Sequence, residues 1–173
     1  DLFSATSTEP DLFSGVSEEA QSNNIRHIEA AGEIEEYLSN VSKAGRFGFV
    51  SGDKEINIAI DDKEAVVIPE EKLRVLFADA KISKICYDVK KGIVELEKRG
   101  MELNGEVDDT MLAQYLLQPE VRREQPESAE KLVAMMPKLM EEIKSNGVVE
   151  LYKDVEIPLA RVLVRMEKRG VLI

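Results

Sequence analysis

The chain has 173 residues, 43% of them hydrophobic and 33% charged, which is enough to bury the core of one domain of ordinary size. Its formal net charge of -11 argues against a protein that grips nucleic acid by itself, because phosphate contacts require a basic face. No apolar run approaches the roughly 20 residues of a bilayer span, and the one cysteine, Cys86, cannot form an internal disulfide, so we expect a cytoplasmic protein with no membrane partner.

Residues 1–24 are rich in Ser, Thr, Glu and Ala and have neither helical nor strand periodicity, which predicts a flexible linker. The tetrapeptide Asp-Leu-Phe-Ser occurs twice in it, at residues 1–4 and 11–14. The triplets Asp1–Phe3 and Asp11–Phe13 resemble the tail of the short peptides that bind bacterial sliding clamps, and such motifs dock into partner grooves from flexible segments. The alternative, which we favour, is a duplicated linker that has no partner.

Order is expected from Ile25 onwards, where short apolar segments alternate with turn residues. The predicted elements are strands at Ile25–Ile28, Arg46–Val50, Ile56–Ile60, Ala65–Ile68 and Ile82–Ile85, and helices at Glu29–Val41, Pro69–Ala78 and Val89–Arg99. In the segment from Ile56, apolar residues alternate with others, which predicts a strand with one buried face. This order of strands and helices favours an α/β domain with a mixed sheet.

The second half of the chain is predicted to be mainly helical. Helical patterns cover Asp109–Leu117, Ser128–Ser145 and Val148–Arg169, and a polar loop is expected at Glu120–Glu127. Pro137 and Pro158 lie inside the last two patterns and are expected to kink or divide those helices, because proline lacks the N–H that a helix interior requires.

Several residues of reactive or charged types are expected to be structural. His27 is the only histidine, and one histidine forms neither a zinc site nor a nucleophile relay. Cys86 lies in an apolar strand and is predicted to belong to the core. The basic pairs Lys90-Lys91 and Lys98-Arg99 are predicted to form solvated helix faces.

Three stretches of the chain carry a family resemblance. A strand ends in Tyr87-Asp88 and runs directly into a helix, Asp109-Thr110-Met111-Leu112 opens the next helix, and Glu156–Val171 begins Glu-Ile-Pro-Leu and closes Met-Glu-Lys-Arg-Gly-Val. In order and spacing these stretches resemble the 3′→5′ exonuclease-like domain of bacterial DNA polymerase I, a family A DNA polymerase. The resemblance implies a ribonuclease H-like (DnaQ-like exonuclease) fold, a mixed sheet flanked by helices.

The resemblance also implies how the chain is divided. Residues 1–24 would be a linker after an upstream 5′-nuclease domain, residues 25–147 the exonuclease-like domain, and residues 148–173 a helix that leads into a polymerase domain outside the chain. We therefore expect a monomeric fragment of a polymerase that serves DNA replication and repair. Its partners would be the polymerase domain of the same chain and, through the parent enzyme, DNA.

Proofreading in this family requires two divalent metals, and hard cations such as Mg²⁺ are held mainly by carboxylates. The resemblance implies four acidic positions: an Asp-x-Glu in the first motif strand, the Asp of the Tyr-Asp pair, and the Asp of a Tyr-x-x-x-Asp helix. In this chain Val50 and Gly52 stand at the first two positions, Asp88 at the third, and Met136 at the fourth, with Leu132 in place of the tyrosine. We therefore expect no catalytic residue, no metal ligand set and no cofactor.

Three hypotheses about function are open. In the first, which we favour, the domain is vestigial and holds the polymerase domain in place, in contact with the face of the last helix. In the second, displaced ligands such as Asp53 and Asp88 maintain a Mg²⁺-dependent 3′→5′ exonuclease, although Asp53 also suits a turn and Asp88 a helix cap. In the third, the Asp-Leu-Phe repeats make the chain a clamp-docking module.

Overall fold

The computed structural model describes residues 25–121 and 125–170, so the predicted linker and its Asp-Leu-Phe repeats lie outside the described residues. The strands are β1 Ile25–His27, β2 Arg46–Ser51, β3 Ile56–Ala59, β4 Ala65–Val67, β5 Ser83–Cys86 and β6 Val107–Asp109. The helices are α1 Ala31–Ala44, α2 Glu70–Ala78, α3 Val89–Lys98, α4 Thr110–Leu117, α5 Ala129–Ser145 and α6 Ile157–Lys168. A π-helical segment, Leu151–Glu156, directly precedes α6, and we call the two together the C-terminal helix.

The six strands form one mixed sheet in the order β1-β4-β3-β2-β5-β6. At its centre β2 runs antiparallel to β3 and parallel to β5, with Gly48 opposite both Ala59 and Ile85. The predicted α/β fold with a mixed sheet is confirmed. The sequence analysis missed β6, because Val107–Asp109 is too short to show alternation and its last residue also caps α4.

Helices cover both faces of this sheet, so it has two apolar layers. On one face, side chains of α1, α2, α3 and α6 pack with Phe47 and Phe49 of β2. On the other face, α4 and α5 pack with Val50, and Tyr152 of the C-terminal helix joins them. The prediction that β3 has one buried face was wrong, because all four of its residues are buried once α5 covers the second face. Cys86 is buried in the core, as predicted.

The two prolines behave differently. Pro137 does not divide α5, which is continuous from Ala129 to Ser145. Pro158 lies in the first turn of α6, immediately after the π-helical segment, where the N–H of Ile157 donates to the carbonyl of Tyr152 five residues earlier. Pro158 therefore does not divide the last helix, but it lies where π-helical hydrogen bonding changes to α-helical, a position at which a residue without an N–H fits.

The C-terminal helix packs firmly against the rest of the domain. Tyr152 contributes to one apolar layer, and Ala160 and Val164 contribute to the other. Two ion pairs of opposite polarity join α6 to α3, Lys90 with Glu167 and Glu97 with Lys168. None of the helices in the described ranges is long and apolar enough to cross a membrane.

Candidate nuclease-like site

Three of the positions that the resemblance assigns to the metal site, Val50, Gly52 and Asp88, lie at or just after the carboxyl ends of strands β2 and β5. Strands β2 and β5 are parallel, with Gly48 opposite Ile85. Continuing this register places Val50 beside Tyr87, so the ends of both strands, with Asp88 after β5, meet at the same edge. In open α/β sheets this carboxyl edge is where ligands bind.

Two of the assigned positions are packed into an apolar layer. Val50 is 6% exposed and Met136 is 4% exposed, and both belong to the cluster that α5 forms on the sheet. The approach of α5 is close, because a Cβ built on Gly48 would lie 2.8 Å from Cγ2 of Val133 and 2.9 Å from the carbonyl oxygen of Ala129. A carboxylate at Val50 or Met136 would lose most of its hydration.

The start of α5 is fixed to the sheet by a residue that the sequence analysis did not single out. The side-chain oxygen of Asn57 in β3 accepts the N–H of Ala129 at 2.8 Å, and its amide group donates to the carbonyl of Glu127 at 3.4 Å. Asn57 is buried, although it interrupts an apolar strand. That interruption was the available signal, since a polar side chain inside such a strand must find a partner.

The position assigned to the second ligand, Gly52, lies in an exposed turn that Arg99 holds in place. The guanidinium of Arg99 donates to the carbonyls of Gly52 at 2.6 Å, Asp53 at 3.1 Å and Lys54 at 3.3 Å, and to Glu70 Oε1 at 2.5 Å. The prediction of a solvated helix face was therefore wrong for Arg99, whose side chain is only 18% exposed. Asp53 lies in this turn, as the interpretation of Asp53 as a turn residue predicted.

The one acid retained at an assigned position, Asp88, caps helix α3. Its side chain accepts the N–H of Lys91 at 3.1 Å, which confirms the cap interpretation. Its φ is +61°, and no other non-glycine residue in the described ranges has a positive φ. Such a backbone costs of order 1–3 kcal/mol and persists only where neighbours hold it.

The neighbour that holds this turn is Asp109, a fully buried carboxylate at the end of β6. It accepts the N–H groups of Asp88 at 3.1 Å and Val89 at 2.7 Å, and also those of Met111 at 2.8 Å and Leu112 at 3.1 Å. Burial raises the pKa of Asp109, and the N–H groups of Val89, Leu112 and Asp88 oppose that shift because they favour its charged form. Asp109 therefore caps α4 and joins the start of α3 to it.

A buried tyrosine completes the polar contacts at this edge. The hydroxyl oxygen of Tyr152 accepts the N–H of Asp109 at 2.7 Å, and the hydroxyl lies 3.4 Å from Oδ1 of Asp108. Burial raises the pKa of Tyr152 far above its usual value, so this side chain stays neutral. Burial also raises the pKa of Asp108.

The carboxylates at this edge do not fit a two-metal site. Within residues 25–121 and 125–170, no three or more His, Cys, Asp or Glu side chains come close enough together to hold a metal ion. Of the three acids at this edge, Asp109 accepts four backbone N–H groups, Asp88 accepts one, and Oδ1 of Asp108 lies 3.4 Å from the hydroxyl of Tyr152. No metal-dependent step follows from this arrangement.

Comparisons with known proteins agree with the fold. The solved POL domain of Pol1 from M. smegmatis, in complex with DNA primer-template and dNTP, matches 83% of this chain and 31% of its own, with 24% identity and a TM-score of 0.66. Brucella melitensis NrnC bound to pGG matches 86% of this chain and 95% of its own at 14% identity and a TM-score of 0.67. Escherichia coli RNase D, an exoribonuclease, matches 82% and 50% at 15% identity and a TM-score of 0.61.

A family model identifies the family, and a match to a curated protein agrees with it. DNA polymerase I of Bacillus subtilis (strain 168) is 25% identical in a match that covers 51% of this chain and 14% of that polymerase. The chain therefore spans a small part of its curated relative. The family model described as DNA polymerase I, ribonuclease H-like domain, matches residues 33–137, which is more than half of the chain. The chain belongs to this family of ribonuclease H-like domains of DNA polymerase I.

Proposed function

We propose that this chain is a structural module of a DNA polymerase, a ribonuclease H-like domain that does not degrade DNA and that supports the polymerase domain of the parent enzyme. One observation carries the proposal. Val50 and Met136, which the resemblance assigns to metal-ligand positions, are packed in the same apolar layer beneath α5.

The chemistry of a two-metal exonuclease supports the proposal that this domain does not degrade DNA. Such an enzyme needs carboxylates around an open position for the metals and the attacking water. Here an apolar layer takes that place, and α5 lies so close to β2 that even a methyl group on Gly48 would collide with it. The retained Asp88 has a sufficient structural reason to be present, since it caps α3.

A structural role is compatible with loss of the site, because stability resides in the core and activity in the site. The fold has two apolar layers and a buried polar centre at Asp109. The C-terminal helix is joined to the domain by buried side chains and by two ion pairs to α3. The domain, with its C-terminal helix packed against it, can therefore support another domain of the parent enzyme.

A nuclease assay tests the proposal. The purified chain is incubated with a single strand labelled at its 3′ end, first with Mg²⁺ and then with Mn²⁺. The Asp88→Ala and Asp88→Asn variants serve as controls, and the second retains an oxygen that can cap α3. We expect no degradation above that of either variant. Metal-dependent degradation that disappears in Asp88→Asn would establish the alternative, an active exonuclease with displaced ligands.

A further inference from the structure

Helices α3 and α6 pack against each other and leave a groove with a volume of about 340 Å³ between them. That volume lies within the range of about 300–1,000 Å³ that is usual for ligand pockets. Three apolar side chains form the floor of the groove: Ile93, Leu103 and Val164. Three basic side chains of α6, spaced by four and three residues, line one side of it: Arg161, Arg165 and Lys168. We call this site the α3–α6 groove.

The two helices carry more positive charge than their own acids neutralise. Within their bounds they contain six basic and three acidic residues. Each of these acids is already in an ion pair with a lysine, as Glu97 is with Lys168. Arg165 is therefore left without a carboxylate partner among the described residues. In a chain with a net charge of -11, a guanidinium of this kind at a groove indicates a ligand that carries a carboxylate or another anion.

The N-terminal segment of the chain has the complementary composition. Residues 1–24, which lie outside the described residues, contain five acidic residues and no lysine, arginine or histidine. They also contain both Asp-Leu-Phe triplets, at residues 1–3 and 11–13. Each triplet brings one carboxylate, which suits Arg165, and two apolar side chains, which suit the floor of the groove.

The segment is long enough to reach the α3–α6 groove. Helices α3 and α6 both contact β6, and β6 and β1 are the two edges of the sheet. Five strand spacings separate these edges, a distance of about 24 Å. The chain from Phe13 to Ile25 spans up to about 40 Å when it is extended. Because closing a shorter loop costs less entropy, we expect the second triplet to be the usual occupant.

We propose that the triplet Asp11–Phe13 docks in the α3–α6 groove of its own chain. The carboxylate of Asp11 binds the guanidinium of Arg165, and the leucine and phenylalanine cover the apolar floor. The first triplet can take the place of the second. A docked triplet is unavailable to any other partner, so the groove regulates access to the repeat. The sequence alone did not indicate this partner, because the groove exists only in the folded domain. The inference does not depend on the proposed function.

The acids of the protein disfavour other pairings. Glu97 and Glu102 also line the α3–α6 groove, so the repeated phosphates of a nucleic acid would be repelled there, whereas a triplet brings a single carboxylate. Another groove of the described structure, beside α1, would repel the acidic segment, because four acids and one arginine line it: Glu33, Glu36, Asp61, Glu64 and Arg26.

Tryptophan fluorescence tests the inference, because the chain has no native tryptophan. Phe13→Trp places an indole at the docked position, and Ser7→Trp places one between the two triplets. Quenching by acrylamide measures how accessible each indole is to the solvent. Arg165→Glu is then added to remove the partner of the carboxylate. Lys98→Glu is the matched control, since it makes the same change of charge at an exposed position of α3 that does not line the groove.

We expect the quenching constant of Phe13→Trp to be at least about threefold smaller than that of Ser7→Trp, because the short connection gives the triplet a high effective concentration at the groove. Arg165→Glu should abolish this difference, and Lys98→Glu should preserve it. An equal loss of protection in both charge variants would show attraction without a specific site and would overturn the inference.

A second measurement leaves the native phenylalanine in the reference protein, because an indole is larger than a phenyl ring. Methyl NMR spectra of the wild type are compared with those of a variant that carries both Phe3→Ser and Phe13→Ser. We expect the methyl signals of Ile93 and Val164 to shift, and those of Val41, which is buried under α1, to stay unchanged. Such shifts would support docking even where the indole is not protected. Unchanged signals at the groove would refute docking.

Two further outcomes would identify a different occupant. Protection of Phe13→Trp that increases with protein concentration would place the triplet on a second copy and overturn docking within one chain. A labelled single-stranded oligonucleotide that binds the variant with both phenylalanines replaced, and that no longer binds after Arg165→Glu is added, would make nucleic acid the ligand of the groove and overturn the inference.

Discussion

The carboxylate of Asp109 accepts the backbone N–H of Val89 at 2.7 Å, so the end of strand β6 holds the first residue of helix α3. The two residues are twenty positions apart in the chain. The same carboxylate accepts two N–H groups at the start of α4, which makes it the common cap of two helices. Asp109, the first residue of the Asp-Thr-Met-Leu segment that resembles DNA polymerase I, thus has a structural role in this chain.

Replacing Asp109 is expected to be costly. Asp109→Ala leaves four backbone N–H groups without an acceptor, which should lower the free energy of unfolding by about 3–5 kcal/mol. Asp109→Asn retains one oxygen and should cost less, about 2 kcal/mol. Urea unfolding measures both, with Asp88→Asn as the control that changes one exposed cap. Equal stability of Asp109→Ala and Asp88→Asn would contradict the shared-cap role.

Reintroducing an acid at the first assigned ligand position is expected to destabilise the domain without creating activity. Val50→Asp places a carboxylate in an apolar layer, which should cost at least about 3 kcal/mol of unfolding free energy. Gly52→Glu is the comparison at an exposed position; its Cβ would lie 3.2 Å from the carbonyl oxygen of Glu55, and it should cost less, about 1 kcal/mol. Thermal unfolding and the nuclease assay are measured together. A stable Val50→Asp variant would show that this layer is open to water.

The contact between β2 and α5 predicts a strong effect of one methyl group. Gly48→Ala would force its Cβ against Val133 and the Ala129 carbonyl, at a cost of about 1–3 kcal/mol. Gly32→Ala in α1 meets no atom within 4 Å and should stabilise the helix by up to about 1 kcal/mol. Added to Gly48→Ala, Val133→Ala should restore only part of the loss, since the backbone carbonyl remains and shortening a buried valine has a cost of its own. Full restoration would mean that the carbonyl contact is unimportant.

Arg99 is expected to resist a conservative replacement. Arg99→Lys keeps the charge but loses the planar group that reaches three carbonyls and Glu70, and it should cost about 1–2 kcal/mol. Lys98→Ala, next to it in the chain, is the control and should change stability by less than about 0.5 kcal/mol. Hydrogen exchange of the turn at Gly52–Lys54 should accelerate in Arg99→Lys alone. Unchanged exchange there would show that the turn is stable without Arg99.

The buried Lys84 predicts a dependence of stability on pH. Its ammonium group donates to the carbonyls of Asp79 at 2.5 Å and Asn104 at 2.8 Å, and burial lowers its pKa from 10.5 to about 8. Between about pH 8 and pH 10.5 the unfolded chain therefore binds more protons at this residue than the folded chain does. Because of that difference, Lys84 adds stability as pH rises, by at most about 1.4 kcal/mol per pH unit.

The measurement for Lys84 is the unfolding free energy of the wild type minus that of Lys84→Met, from pH 7 to pH 9.5. The difference should move in favour of the wild type as pH increases above 8. The raised pKa values of Tyr37 and Tyr152 lower stability near pH 10 in both proteins, so they cancel in the difference. A difference that is independent of pH would show that Lys84 keeps its ordinary pKa in the folded protein.

Much of the secondary structure followed from local pattern. Apolar spacing located α1 through Ile34, Tyr37 and Val41, and these residues are buried as that spacing requires. The helix ends at Gly45, whose φ of +67° is the left-handed conformation that glycine adopts without strain. The family resemblance then supplied the ribonuclease H-like fold and the positions Val50, Gly52 and Met136.

The sequence by itself therefore determined the fold class, most elements and the family, because periodicity, turn residues and short motifs are local properties. Only the tertiary structure decided that β3 is buried on both faces, that Asn57 holds α5, that Arg99 holds the turn at Gly52, and that Asp109 caps two helices. Each of these findings includes a contact between residues at least twenty positions apart. Such contacts depend on how the helices cover the sheet, and local spacing does not contain that information.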